Sequence, residues 1–222
     1  MLVVPPGYCL RAGRGWVVYA RSTTILAQTS SIDAGIVYVR DQVLPVLEGV
    51  AGCVGLSLLV DRHHGRCIAT SAWESAETMH SDADQVRSMR DRAAEMFGSV
   101  RTEEWEIAVL HRQHHSRRGA CVRVAWAETA PLRLDAVVKA YRSQFLADMQ
   151  TREGFCSASL MINRSSGRAV SCAAYDSATA MIRARGHAAS LRAAASRRYD
   201  AVVIDTGEFE LALAHLRVPE LV

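Results

Sequence analysis

The sequence predicts an α+β protein built from two tandem βαββαβ repeats whose sheets pack against each other within one chain. First, the stretch LLVDRHHGRCIATSAWES at 58–75 recurs as LMINRSSGRAVSCAAYDS at 160–177. Second, both halves show the same order of β-rich and amphipathic helical segments. Third, the chain has 222 residues, half of them hydrophobic, which is enough to bury two small cores.

The same offset of 102 residues aligns much of the rest of the chain. It pairs Arg21 with Arg123 and Gly52 with Gly154, and a two-residue slip aligns EEWEIAVLH (103–111) with GEFELALAH (207–215). A repeat of this length exceeds a solenoid unit, so each copy is expected to be a small domain. We therefore predict an N-terminal tail over 1–16, a first repeat over 17–112, a polar linker over 113–119 and a second repeat over 120–222.

Each element of the first repeat has a local cause. Residues 17–27 are rich in β-formers. A helix capped by Ser30 or Ser31 follows, and Pro45 in its interior is expected to kink or shorten it. Two strands around the turn RHHG come next, then a helix starting at Ser75 and a last strand over 103–111. This order is ferredoxin-like. Such a sheet has one bare face, so we predict that the two bare faces cover each other.

The segment SAWESAETM at 71–79, with its weaker echo AAYDSATAM at 173–181, resembles the antibiotic biosynthesis monooxygenase (ABM)-like family. That family belongs to the dimeric α+β barrel superfamily, and the resemblance covers nearly the whole chain, twice. In detail the chain is similar to a tandem-domain group of actinobacterial proteins. The resemblance implies an intramolecular dimeric α+β barrel that binds a small apolar or aromatic molecule. Two functions stay open: a cofactor-independent monooxygenase, or a non-catalytic ligand-binding or interaction protein on the same scaffold.

Haem degradation is disfavoured by a comparison of single positions. Haem-degrading relatives resemble one another in an asparagine on the first strand, a second tryptophan and a histidine further on. The corresponding positions here hold Ala20 or Arg21, Asp82 and Arg92 in the first repeat, and Val122 or Arg123, Ala184 and Ala194 in the second. His80 and His187 lie near, but not at, the expected ligand position. We expect no cofactor.

The resemblance also implies where a substrate is bound, while no catalytic residue is predicted. Cofactor-free relatives use a cleft between helices and sheet, lined by polar and aromatic side chains. The candidates here are Trp73, Arg21, Tyr38 and His80. If a cleft exists, the difference between Trp73 and Tyr175 makes the two halves unequal sites.

Charged residues on the first and last strands of each repeat predict a structural ion pair, because these strands are neighbours in a ferredoxin-like sheet. Arg21 and Arg123 lie on the first strands. The last strands carry Glu104 and Glu106 in one repeat, and Glu208 and Glu210 in the other. We predict the pairs Arg21–Glu106 and Arg123–Glu210. The alternative is an arginine that orients an anionic or oxygenated ligand.

Two histidine clusters raise the question of a metal site. His63, His64 and Cys67 have ligand-like spacing, but the second repeat replaces them with Ser165, Ser166 and Ala169. It retains Arg62, Gly65 and Arg66, so turn chemistry is the favoured interpretation. A second group, His111, His114 and His115, is interpreted as the end of a strand and a solvated linker. We expect no metal.

Composition limits the partners and the compartment. The six cysteines are out of register between the repeats, which favours small buried side chains in a reducing, cytoplasmic environment over disulfides. A formal charge of +3 is too small to imply a nucleic-acid partner, and no apolar run reaches the roughly 18 residues of a membrane span. A small-molecule ligand is the expected partner. Self-association through exposed sheet edges stays open.

Overall fold

The structure is a computed structural model that describes residues 17–81, 83–117 and 119–222. The side chains of residues 83–85 and 90 are also outside this description. The predicted tail over 1–16, including Cys9, therefore lies outside the described residues, as does Asp82, one of the positions compared with haem-degrading relatives.

Repeat 1 has the predicted order of elements. Its strands are β1 (Val18–Leu26), β2 (Cys53–Val60), β3 (Arg66–Trp73) and β4 (Ser99–Arg112). Its helices are α1 (Ile32–Tyr38), α2 (Leu44–Glu48), α3 (Ala76–Ser81) and α4 (Ala83–Phe97), with a 3₁₀ turn over Thr29–Ser31. The Ser75 hydroxyl accepts a hydrogen bond from the backbone N–H of Thr78 at 3.1 Å, so the second helical segment begins at the predicted cap.

Repeat 2 follows the same plan after the linker. Its strands are β5 (Cys121–Glu128), β6 (Phe155–Asn163), β7 (Arg168–Tyr175) and β8 (Val202–Leu216). Its helices are α5 (Leu134–Ala140), α6 (Leu146–Gln150), α7 (Ala178–Arg183) and α8 (Arg185–Tyr199), with a 3₁₀ turn over Pro131–Arg133. No helix in the described ranges is long and apolar enough to cross a membrane.

A π-helical turn joins the two halves of the first helical segment in each repeat. It spans Val39–Val43 between α1 and α2, and Tyr141–Phe145 between α5 and α6. The sequence predicted a kink at Pro45, yet repeat 2 has Ala147 at the matching position and the same turn. The proline is therefore not needed for the turn. A π turn inserts an extra residue and re-aims the side chains within it.

The eight strands form one closed antiparallel barrel in the order β1-β3-β2-β8-β5-β7-β6-β4. Each repeat contributes four consecutive strands, and the repeats join at both edges, through β2 with β8 and β4 with β6. The predicted fold class, two ferredoxin-like repeats forming an intramolecular dimeric α+β barrel, is confirmed. Because every described strand has a neighbour on each side, the exposed sheet edges expected to allow self-association are absent among these strands.

Three hydrophobic clusters fill the molecule. One lies inside the barrel, where strands of both repeats contribute side chains such as Val18, Trp105 and Phe209. The others lie outside it, between the helices and the sheet of each repeat, around Trp73 in repeat 1 and Tyr141 in repeat 2. Successive residues of a strand thus alternate between the barrel interior and a helix-covered face.

The two β-hairpin turns connect the repeats through arginines. Arg66, after the first turn, donates to Asp205 on β8 at 2.5 Å, and its guanidinium lies 4.9 Å from the Trp126 ring and 5.0 Å from the Phe209 ring. Its repeat partner Arg168 forms an ion pair with Glu103 on β4 and lies over Trp105. The sequence predicts only a turn role for Arg66 and its partner Arg168, but their side chains bridge the repeats.

The glycine of the retained turn is explained by the turn itself. Gly65 and Gly167 have φ values of +75° and +76°. A Cβ at either position would lie 2.0 Å from a carbonyl oxygen of the facing chain, Ala27 or Thr129. The turn interpretation of DRHHGR therefore holds for the glycine, while it was incomplete for the arginines.

The cysteines in the described ranges are all free thiols: Cys53, Cys67, Cys121, Cys156 and Cys172. Two of them, Cys53 and Cys156, are buried and the others are half-buried. Burial raises the pKa of the Cys172 thiol to about 11, which keeps it protonated at neutral pH. These thiols behave as small core side chains rather than nucleophiles.

Candidate functional site

Repeat 2 contains an apolar cavity of about 120 Å³ between its helices and the outer face of its sheet. Strands β5 to β8 form the floor, and α5, the π turn, α6 and α8 form the roof. An apolar cavity of about 150 Å³ is known to bind benzene. The volume of the repeat 2 cavity therefore matches roughly one aromatic ring.

Small side chains create this cavity. Repeat 2 has alanine at several lining positions where repeat 1 carries larger residues. The lining residues Ala125, Ala127 and Ala188 correspond to Thr23, Ile25 and Val86. Those three repeat 1 side chains are buried, whereas the three alanines are each partly accessible. Repeat 1 therefore fills this space with side chains, whereas the smaller side chains of repeat 2 leave a cavity on the same backbone fold.

The π turn of repeat 2 places Tyr141 and Phe145 in the cavity wall. The Tyr141 hydroxyl lies 3.1 Å from the Ser159 carbonyl oxygen and 3.0 Å from the Ser171 hydroxyl. Burial raises the pKa of Tyr141, so the hydroxyl stays neutral at physiological pH. It fixes the wall and is not available as an anionic base.

Arg123 reaches the cavity from β5 and is 7% exposed. Its Nε and Nη2 donate to Glu208 Oε1 at 3.2 and 2.8 Å, and Nη2 also donates to the Met181 carbonyl oxygen at 2.5 Å. Nη1 is buried and has no hydrogen-bond partner among the described residues. Glu208 also accepts from Arg185, at 2.9 and 2.5 Å, and these arginines lower the pKa of Glu208 to about 2.

The ion pairs differ from the prediction by two residues. Arg21 pairs with Glu104 at 2.8 Å and Arg123 with Glu208, in place of Glu106 and Glu210. The strand register is the reason, because Arg21 lies directly opposite Glu104, and Arg123 opposite Glu208. Glu106 and Glu210 instead reach the other repeat's turn. They accept from Arg164 and Arg62 respectively, each at 2.7 Å.

The four residues predicted to bind substrate do not form one site. Trp73 is fully buried in the repeat 1 core, where its Nε1 donates to the Ser71 hydroxyl at 2.9 Å. Tyr38 packs on Phe97 with ring centroids 5.8 Å apart. Arg21 and His80 do meet, since His80 Nε2 lies 2.9 Å from the other oxygen of Glu104. None of the four lines the cavity of repeat 2.

Sequence reasoning missed most residues of the cavity. Tyr175, at the position of Trp73, does line it, as do His187 and Arg192 on α8. His187 Nε2 is buried without a hydrogen bond, although Asp148 Oδ2 lies 3.7 Å away. The sequence does contain one signal for the cavity: repeat 2 has alanine at several positions where repeat 1 has a larger residue.

The histidine clusters occupy a turn and a barrel end. The backbone N–H groups of His63 and His64 both donate to Asp61 Oδ1, which is turn geometry. His111 lies 2.6 Å from the Gln150 side chain and 3.3 Å from Glu220. No group of three or more His, Cys, Asp or Glu side chains in the described ranges is arranged to hold a metal ion.

A second cavity, of about 240 Å³, lies inside the barrel. Strands of both repeats line it, and the linker residues His114, His115 and Ser116 form one side. Arg112 also lines it, with a buried Nη2 that has no partner. Arg112 is, however, neutralised by Glu220 at 3.6 Å and donates to the Val218 carbonyl oxygen at 2.8 Å.

Comparisons with known proteins agree with this architecture. No protein-family model matches the chain. The chain is 56% identical to protein Rv2557 of Mycobacterium tuberculosis (strain H37Rv) over 209 residues, 94% of this chain and 93% of that protein. An anthrone oxidase-like protein has a TM-score of 0.66 at 12% identity, covering 91% of this chain and 93% of its own. A monooxygenase-like protein from Listeria innocua has a TM-score of 0.51 at 8% identity, covering 86% and 93%. At these identities the two structures show a shared fold.

Proposed function

This chain belongs to the family of Mycobacterium tuberculosis protein Rv2557, and we propose that it binds a small, largely apolar ring compound in the cavity of repeat 2. The cavity itself carries the proposal. It is lined mainly by apolar side chains, with a few polar groups converging on it, which is the usual composition of a ligand pocket. An unfilled space of this kind costs stability in a packed protein, so a bound ligand offsets that cost.

The barrel interior is the competing location. Its volume of about 240 Å³ exceeds the volume of about 120 Å³ of the repeat 2 cavity, and its arginine, Arg112, is paired with Glu220 and donates to the Val218 carbonyl oxygen. Each cavity has a lining arginine with one buried nitrogen that lacks a partner among the described residues, Arg112 Nη2 or Arg123 Nη1. The repeat 2 cavity adds the unpartnered His187 Nε2 and a volume that matches a single ring. We therefore favour repeat 2 and treat binding inside the barrel as an outcome of the test.

Cofactor-independent oxygenation of the bound ring is a second candidate function. His187 favours it, because a buried imidazole nitrogen without a hydrogen bond is positioned to accept a phenolic proton. The phenolate of a hydroquinone, formed beside Arg123, reacts with O₂ without a cofactor because the substrate supplies the electrons. One oxygen atom enters the ring, which is oxidised to a hydroxyquinone, and the other leaves as water with the two hydrogens that the ring loses. The ABM-like segment and the anthrone oxidase-like fold neighbour support this class of reaction.

Titration with p-cresol and toluene, followed by ¹H–¹⁵N NMR, is expected to shift amide signals in α8 and in the π turn of repeat 2. The matching segments of repeat 1, α4 and the turn over Val39–Val43, serve as internal controls and are expected to stay unchanged. Shifts confined to residues of the barrel interior, such as Ser57 and Cys172, would place the site in the other cavity. The absence of shifts at millimolar ligand would contradict the proposed function.

Oxygenation predicts oxygen consumption with catechol or hydroquinone that depends on His187. His187→Gln is expected to lower the rate at least tenfold, because the substitution removes the proton acceptor. His80→Gln is the matched control, since His80 lies on an exposed surface of repeat 1 against Glu104. Oxygen uptake is measured with an electrode. Equal rates in the two variants, or no uptake while p-cresol still binds, rule out this candidate and leave binding alone.

A further inference from the structure

The cavity of repeat 2 is bordered by more positive than negative charge. Arg123 and Arg185 share the single carboxylate of Glu208. Arg192 also lines the cavity and is half-buried, and it forms no ion pair with any group in the described part of the chain. Burial, together with the charge of Arg123 nearby, lowers the pKa of Arg192. The three guanidinium groups at this cavity are therefore balanced by one carboxylate, that of Glu208.

The other acidic groups near the cavity do not neutralise it. Glu128 lines the cavity, but its carboxylate is half-exposed and lies 3.4 Å from Arg168. Asp148 lies 3.7 Å from His187 and 3.8 Å from Arg152. Neither forms an ion pair with Arg123 or Arg192 among the contacts of the described residues. The deficit of negative charge therefore remains at the guanidinium groups of these two arginines.

Repeat 1 shows which of these features point to a ligand. Arg21 also has a buried Nη1 without a partner and also pairs with a glutamate, Glu104. An unpaired guanidinium nitrogen alone therefore does not identify a ligand site. Repeat 2 differs because Arg123 lines a cavity that Arg192 lines as well, whereas Thr23 and Ile25 are buried at the matching positions of Ala125 and Ala127 in repeat 1.

We propose that the ligand of repeat 2 is a small aromatic carboxylate. Its ring occupies the alanine-lined space, and its carboxylate accepts hydrogen bonds from Arg123 Nη1 and from Arg192. Guanidinium groups suit this role because their planar donors match the two oxygens of a carboxylate. A buried N–H without a partner is destabilising, so the ligand also satisfies Arg123. This inference rests on the proposed binding function and names its substrate class.

Three compounds with the same ring test the inference by isothermal titration or NMR: benzoate, benzyl alcohol and benzylamine. We expect benzoate to bind at least tenfold more tightly than benzyl alcohol, and benzylamine to bind most weakly. Arg192→Gln is expected to remove most of the preference for benzoate over benzyl alcohol, while the hydrogen bond from Arg123 keeps the remainder. Arg192→Lys keeps the charge but loses the planar donors, so its affinity for benzoate is expected to lie between those of the wild type and Arg192→Gln.

The control variant is Arg183→Gln, which removes the same charge from an exposed arginine paired with Glu153 outside the cavity lining. It is expected to bind benzoate as the wild type does. Equal affinity for benzoate and benzyl alcohol, or equal effects of the Arg192 and Arg183 variants, overturns the carboxylate assignment while the binding function stands. Failure of all three ring compounds to bind overturns the binding function itself.

Discussion

Filling the cavity of repeat 2 with the side chains of repeat 1 is expected to reduce the affinity for p-cresol or benzoate by more than tenfold. The variant combines Ala127→Ile with Ala188→Val, which restores the residues found at Ile25 and Val86. The added methyl and methylene groups enter a space of about 120 Å³, which cannot then hold a ring. A tenfold loss corresponds to about 1.4 kcal/mol of binding free energy.

The same variant is expected to keep or raise thermal stability. Strand β5 pairs with β7 in the same register as β1 with β3, since Ala127 lies opposite Ala169 as Ile25 lies opposite Cys67. The backbone therefore already has the geometry that accepts the larger residue, and filling a void commonly adds about 1 kcal/mol. A measurement of thermal stability therefore distinguishes a variant that loses binding because it unfolds from one that loses binding because its cavity is filled.

Ala189→Val is the matched control, because Ala189 is the exposed neighbour of Ala188 on α8. It adds the same two methyl groups to the same helix, outside the cavity lining, and is expected to leave both affinity and stability nearly unchanged. If the double variant bound p-cresol as tightly as the wild type, the ligand would have to sit elsewhere, and the barrel interior would become the leading location.

The fold could be predicted because duplication repeats every local signal. Strands, helix caps and the turn glycines recur at a fixed spacing, so one interpretation has to satisfy both copies. The need to cover two bare sheet faces then leaves few arrangements. The sequence predicts a barrel but not the strands that close it, because β2 pairs with β8 and β4 pairs with β6 across the repeats, without a local signal.

The site could not be found by looking for conspicuous residues. Trp73 attracted attention as a large aromatic side chain near a family-like segment, but a large side chain is what fills the corresponding space in a core. A cavity arises where side chains are too small, and only the comparison of matched positions, such as Ile25 with Ala127, carries that information in the sequence. The predicted ion pairs show a related limit. Glu104 and Glu106 both lie on β4, and only the register selects Glu104 as the partner of Arg21.

Removal of both stacked arginines, Arg66→Ala with Arg168→Ala, is expected to lower the free energy of unfolding by about 4 kcal/mol. Arg66 is 21% exposed and lies against two aromatic rings of the other repeat while pairing with Asp205. Each substitution removes a partly desolvated cation–π contact, the packing of an aliphatic stem and an ion pair, together about 2 kcal/mol. The two sites use different partners, so their effects should add. Urea denaturation gives the free energy, and a fall of roughly 10 °C in Tm is expected alongside it.

The chain provides its own control in the other retained arginines of the turns. Arg62 and Arg164 also bridge the repeats, to Glu210 and Glu106, but both are about half-exposed and neither stacks on an aromatic ring in the described part of the chain. Arg62 also pairs with Asp33, and Arg164 with Asp135, so Arg62→Ala with Arg164→Ala removes four exposed ion pairs. Exposed pairs contribute about 0.5 kcal/mol each, so this double variant is expected to lose about 2 kcal/mol, half of the loss expected for Arg66 and Arg168. If the two double variants lost equal stability, charge pairing alone would hold the repeats together. If the variant without Arg66 and Arg168 loses more free energy of unfolding, then stacking on the aromatic residues of the barrel interior, and not charge pairing alone, holds the two repeats together.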